Sequence, residues 1–119
     1  MNWITNTDTI IFNAKFNKKV DIKEISTYKK LIFSDYKLNE RLFEYYANNN
    51  FNGLEWIGSN FNKDVSNLPS FLTHLIFGYV FNQDVSVLPS SLTHLTFGTY
   101  FNQDVSNLPS FLTHLIFGT

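Results

Sequence analysis

The sequence predicts a mostly β protein built as a repeat solenoid, with a parallel sheet along one side and irregular return segments along the other. Three observations carry this: three nearly identical blocks at a twenty-residue period, a short alternating strand pattern in each block, and a proline at one fixed phase of every return. The blocks run FNKDVSNLPSFLTHLIFGYV from Phe61 to Val80, FNQDVSVLPSSLTHLTFGTY from Phe81 to Tyr100, and FNQDVSNLPSFLTHLIFGT from Phe101 to Thr119. Internal identity at a fixed period marks an architecture in which each block is one coil and no block buries its apolar side alone.

Residues 1–60 read as diverged rungs of the same stack. Ile10-Ile11-Phe12-Asn13-Ala14-Lys15-Phe16-Asn17 follows the repeat from strand into a Phe-Asn pair, Leu31-Ile32-Phe33-Ser34 follows the strand, and Trp56-Ile57-Gly58 leads into Phe61. Aligning Phe12, Phe33, Ile57, Phe77, Phe97 and Phe117 gives six rungs at intervals close to twenty residues. In the longest interval Leu38, Leu42, Tyr45 and Tyr46 share one helical face, Asn39 suits an N-cap, and Glu40 suits the positive end of the helix dipole. One short helix near 40–47 is therefore expected to replace the irregular back of that coil. Eight of the nine basic residues precede residue 61, which fits an amino-terminal region that is solvated and caps the stack.

Each regular coil begins its strand in Leu-Thr-His-Leu-x-Phe. Alternation places Leu75 and Phe77 on one face and His74 and Ile76 on the other, and Leu95 with Phe97 and Leu115 with Phe117 repeat the inner pair. Gly78, Gly98 and Gly118 follow, where the chain must turn and a residue without Cβ can take positive φ. The Phe-Asn pairs come next, the rings stacking between coils and the asparagines bonding the backbone of the adjoining turn. The return Asp-Val-Ser-x-Leu-Pro-Ser holds Pro69, Pro89 and Pro109, and proline excludes helix there and disfavours a central strand. Twenty residues leave no room for the convex helix of longer repeats.

The whole chain reads as one domain over residues 1–119, with 61–119 as its regular part. Nine Lys and Arg balance ten Asp and Glu, and Lys63 is the only basic side chain of the three blocks, so a phosphate-tracking nucleic-acid surface is not expected. With no cysteine, disulfide scaffolds, thiol catalysis and cysteine-ligated zinc are excluded. The amino terminus lacks a basic start and no stretch has the length of a membrane span. The expectation is an intracellular, cytoplasmic protein that does not engage membrane.

The strings FNQDV, LPSSLTHLTFG and FNQDVSNLPSFLTHLIFG resemble the FNIP repeat, a short variant of the leucine-rich repeat found mainly in slime moulds and giant DNA viruses. The resemblance is strong over 61–119 and weak over 9–60, and Asp84 and Asp104 stand where that repeat commonly carries a proline. It implies a leucine-rich-repeat-like fold and protein binding. Family members often add an F-box that recruits a ubiquitin ligase; residues 1–60 show no such pattern, so a substrate-binding adaptor part without its own F-box is a weaker alternative.

His74, His94 and His114 occupy one phase and should stack about 4.8 Å apart, the spacing of neighbouring strands. A straight row does not converge on a tetrahedral metal, so the histidines read as a neutral surface ladder. Asp64, Asp84 and Asp104 form a second row, read as acceptors of turn amides and not as a calcium site, which needs six to eight oxygens. Ser66, Ser86 and Ser106 are triplicated by the repeat and form no convergent triad. No catalytic, metal or cofactor residues are therefore assigned. The binding face for a protein partner is assigned to His74, Ile76, Tyr79, His94, Thr96, Thr99, His114 and Ile116, where the positions of Ile76, Thr96 and Ile116 and of Tyr79 and Thr99 differ between blocks on a constant frame. Phe111, Leu112, Leu115 and Phe117 on the last coil are expected to form a homo-oligomer interface, because an uncovered end exposes core side chains and a strand edge. The different-class alternative is a self-assembling structural protein.

Overall fold

The computed structural model describes residues 2–118. Its elements run β1 (Trp3–Thr5), β2 (Thr9–Phe12), α1 (Ile22–Ile25), β3 (Lys30–Phe33), α2 (Leu42–Asn48), β4 (His74–Ile76), β5 (His94–Phe97) and β6 (His114–Phe117). The strands form one open, six-stranded sheet in the order β1-β2-β3-β4-β5-β6. β1 is antiparallel to β2 and every later pairing is parallel. The last three strands pair like with like: His74 with His94 and His94 with His114, Leu75 with Leu95 and Leu95 with Leu115. The repeat in the sequence thus becomes register in the sheet.

Strand alternation sends Leu31, Leu75 and Leu95 to one face, where they are buried with Phe33, Phe77 and Phe97. Two phenylalanine columns run through this interior. Phe12, Phe33, Phe77, Phe97 and Phe117 follow one another with ring centroids 5.1, 5.8, 5.8 and 5.6 Å apart. Phe16, Phe61, Phe81 and Phe101 form the second column at 6.1, 6.0 and 6.3 Å. Within a coil the columns touch, as in Phe77 on Phe81 at 3.6 Å and Phe97 on Phe101 at 3.7 Å. Val65, Val85, Leu72 and Leu92 close this core from the return side, which contains no strand and turns at the prolines, where Pro69 and Pro89 carbonyls accept the Leu72 and Leu92 amides.

Polar ladders bind each coil to the next. The Asn62, Asn82 and Asn102 amides donate to the side-chain oxygens of Asn17, Asn62 and Asn82 at 2.9, 2.8 and 2.8 Å. Gln83 and Gln103 reach back to the same asparagine one coil earlier. The conserved phase of glycine has a different cause from the turn expected. Gly78, Gly98 and Gly118 are not among the positive-φ residues, which are Asn49, Gly53 and Gly58. Instead the coils approach so closely that a Cβ on Gly98 would overlap the Gly78 carbonyl.

Two expectations for the diverged half are corrected. No rung forms at Ile57, which is exposed; β3 pairs directly with β4, matching Ile32 to Ile76, and the sixth strand is the unforeseen β1. Residues 36–57 are an excursion that leaves the coil at Asp35 and returns to it, because the Asp35 carbonyl accepts the Ile57 and Gly58 amides at 2.7 and 2.9 Å. The Asp35 carboxylate then accepts the Ser59 and Tyr79 amides, and Phe61 completes the coil begun by β3, its ring 3.8 Å from Phe33.

The second correction concerns the helix. It forms close to where the sequence places it, as α2, but Asn39 accepts the Arg41 amide in a turn before the helix instead of capping it. α2 also lies on the opposite side from the returns: Leu42 packs with Ile11 and Ile32, the outer face of the sheet. At the other end α1, not foreseen, sits on the first return with Asp21 accepting the Lys23 amide as its N-cap and Ile25 buried. Trp3 of β1 meets Phe12 and Phe16 edge-on at 5.4 and 6.4 Å, covering the amino-terminal end of both columns.

Candidate functional site

The outer face of β4–β6 is the floor of a cleft, and the excursion builds its wall. Tyr46 is fixed by its hydroxyl, which donates to the Ser34 hydroxyl at 3.0 Å, and burial raises its pKa above the usual phenol value. Tyr36 stacks on Phe51 at 4.9 Å and Tyr46 meets Phe51 edge-on at 5.0 Å, so α2 and the chain after it present a rigid aromatic bank. Between this bank and the strands lies a cleft of about 420 Å³ lined by Phe43, Tyr46, His74, Ile76, His94 and Ile116, among others. A second depression of about 370 Å³ shares Tyr46, Ile76, Thr96 and Ile116 and continues past Tyr79 and Thr99.

All eight residues assigned to the binding face from sequence line one or other part of this cleft. Tyr79 is held edge-on between Trp56 and Tyr100 at 5.1 and 4.9 Å. The wall was missed. Its signal was the amphipathic stretch 38–46, attributed to the wrong side of the sheet.

The histidine rings are closer than the strand spacing suggested, with centroids 4.0 and 4.1 Å apart and nearly parallel planes. Each Nδ1 lies against the hydroxyl of the preceding threonine: Thr73 with His74 at 2.9 Å, Thr93 with His94 at 2.8 Å, Thr113 with His114 at 2.9 Å. Burial, then the neighbouring His94, lowers the His74 pKa to about 4. Burial, then His114, also lowers that of His94. Among the described residues no group of three or more metal-ligating side chains converges. On the returns Asp84 and Asp104 accept the Ser86 and Ser106 amides at 2.9 Å, and Asp64 accepts the Ser66 hydroxyl.

The last coil is open at its outer edge. Leu115 and Phe117 are 41% and 49% exposed, whereas Leu95 and Phe97 at the same phase are 1% exposed. Phe111 differs in cause, since Phe71 at its phase is also exposed with a coil stacked above it. Leu112 remains half-buried against the core.

The repeat is also recognised directly. The model of the FNIP Repeat matches residues 60–100 and 84–119, just over half of the sequence. The chain belongs to the FNIP repeat family. No curated protein and no solved structure matches it. The FNIP match covers β4, β5 and β6, the floor of the cleft, while α2 and the aromatic bank lie outside it. FNIP membership points to a repeat-type protein-interaction module. Among the described residues no helix is long and apolar enough to cross a membrane.

Proposed function

We propose that this FNIP-repeat chain is a non-catalytic, intracellular protein–protein interaction module, a single leucine-rich-repeat-like solenoid that holds a protein partner in the cleft between α2 and the outer face of β4–β6. The observation that carries the reading is the split origin of the cleft: a repetitive, rigid floor and a wall supplied by a spliced-in segment. Rigid scaffolds that vary side chains and loops on one face are suited to partner selection. A concave, mostly apolar depression with a few placed polar groups is the usual form of a binding site.

The test is affinity capture from native lysate with the wild-type chain and with Thr96→Trp, which fills the floor from a half-exposed position without adding charge. A partner retained by the wild type and lost by Thr96→Trp supports the reading. Equal capture by both places binding elsewhere. Recovery of a ligase subunit with the partner would favour an adaptor role.

A second reading rests on the open edge of β6. A second copy pairing there would cover Leu115 and Phe117, with Phe111 and Leu112 at its margin, and a two-fold contact closes on itself. Light scattering over a concentration series tests this, and a strictly monomeric chain with Leu115 and Phe117 accessible would remove it.

A further inference from the structure

The same set of hydrogen bonds recurs beside each histidine of the row. The Lys29 carbonyl accepts the Thr73 and His74 amides, the Thr73 carbonyl accepts those of Thr93 and His94, and the Thr93 carbonyl those of Thr113 and His114. A carbonyl oxygen has two lone pairs, so each is already filled. Each threonine hydroxyl has two acceptors in reach, the same carbonyl at 3.1 to 3.2 Å and histidine Nδ1 at 2.8 to 2.9 Å. The geometry points to the shorter contact, from the hydroxyl to Nδ1, which puts the proton of each neutral ring on Nε2. No hydrogen bond to any histidine Nε2 exists among the described residues, and none of these atoms is buried unsatisfied. On that assignment three N–H donors face open space.

Register adds a fourth donor, since Lys30 of β3 pairs with His74 and extends the same row. All four line the cleft, and no carboxylate does. Asp8, at the β2 end, already accepts the Thr9 hydroxyl at 2.7 Å. Asp35, in the neighbouring depression, is engaged by the Ser59 and Tyr79 amides. We infer that the cleft is a docking site for an extended, acidic-apolar peptide segment of a protein partner, its Asp or Glu carboxylates on the Lys30–His114 row and its apolar side chains against Phe43, Ile76 and Ile116. The inference rests on the reading of the cleft as a protein-binding site. The row crosses three strand steps, about 14 Å, and four to five extended residues span that length, with same-face side chains about 6.7 Å apart. A carboxylate accepts from two donors at once, and charge-assisted bonds are the stronger kind.

The experiment uses the full chain labelled with 15N-histidine. The probe is an acetylated, amidated five-residue peptide with glutamate at its second and fourth positions and leucine elsewhere, compared with its glutamine counterpart. The account expects protonated Nε2 in all three rings of the free protein, movement of those resonances by the glutamate peptide, and about tenfold weaker binding of the glutamine peptide, a difference of about 1.4 kcal/mol. Lys30→Gln and the exposed His114→Gln should each weaken the glutamate peptide severalfold, and His114 at the open edge is replaceable without disturbing the core.

Protonated Nδ1 in place of Nε2, equal affinities for the two peptides, or shifts confined to residues outside the row would overturn the inference. So would displacement of the peptide by inorganic phosphate at equal concentration, which would mark a small-anion site. A captured partner insensitive to Lys30→Gln and His114→Gln would sink this inference alone, whereas a partner insensitive to Thr96→Trp would sink the reading beneath it.

Discussion

The backbone amide of Asn102 donates to the side-chain oxygen of Asn82 at 2.8 Å, and the Gln103 side chain reaches the same oxygen at 3.0 Å. One asparagine thus satisfies the corner of the coil above it, while its own amide is satisfied by Asn62 below. The ladder explains why Phe-Asn recurs without change where neighbouring positions drift.

Asn82→Ala removes the acceptor and leaves two donors of the next coil to find water. The expected cost is about 1 kcal/mol, at the lower end for a lost bond because Asn102 is exposed. Urea denaturation of the variant measures it.

Phe97 and Phe117 occupy the same phase but not the same environment, at 1% and 49% exposure. Phe97→Ala should cost about 3–5 kcal/mol, the usual range for emptying a buried aromatic site. Phe117→Ala should cost much less in a monomer. Matched denaturation curves test the contrast, and similar losses would show that the open edge of β6 is covered in solution.

The histidine row makes stability depend on acid. His74 is held near 4, against 6.5 for the free side chain, chiefly by burial and then by the charge of His94. Above pH 6.5 the ring is neutral folded and unfolded; as pH falls toward 4 the unfolded chain takes up the proton first, so stability declines across that window. Asp64 and Asp104 act lower. Their carboxyls are held below the usual 3.8, by the Ser66 hydroxyl and the Ser106 amide respectively, so the stability they add is lost only as pH falls below that value. Thermal melts from pH 7.5 to 4 should show a falling Tm that His74→Gln flattens, and an unchanged Tm across the window would refute the account.

The regular half of the fold was legible because identity at a fixed period fixes register: Leu75 must repeat Leu95, and Phe77 must repeat Phe97. The diverged half was misread for a countable reason. The excursion over 36–57 is close to one coil in length, so spacing alone cannot separate an inserted segment from an extra rung. Two features carried the missing signal. Glu55 stands two positions before Ile57, where a rung would need an inward apolar side chain like Leu75, and no Phe-Asn pair follows Phe33 at the interval seen after Phe12 and Phe77. The side of the sheet chosen by α2 was not readable from its own pattern, since Leu42 can pack on either face. It follows from where Asp35 releases and regains the chain. The floor of the candidate site was accordingly legible and its wall was not.

The central claim is that β3 pairs directly with β4 and that α2 lies over the outer face beside them. Methyl and aromatic nuclear Overhauser contacts test both at once. The account predicts contacts between Ile32 and Ile76, which are register partners, and between Leu42 of α2 and Ile11 and Ile32 on the outer face. Contacts placing Ile57 between Ile32 and Ile76, with α2 close to Val65 or Val85 on the return side, would contradict it.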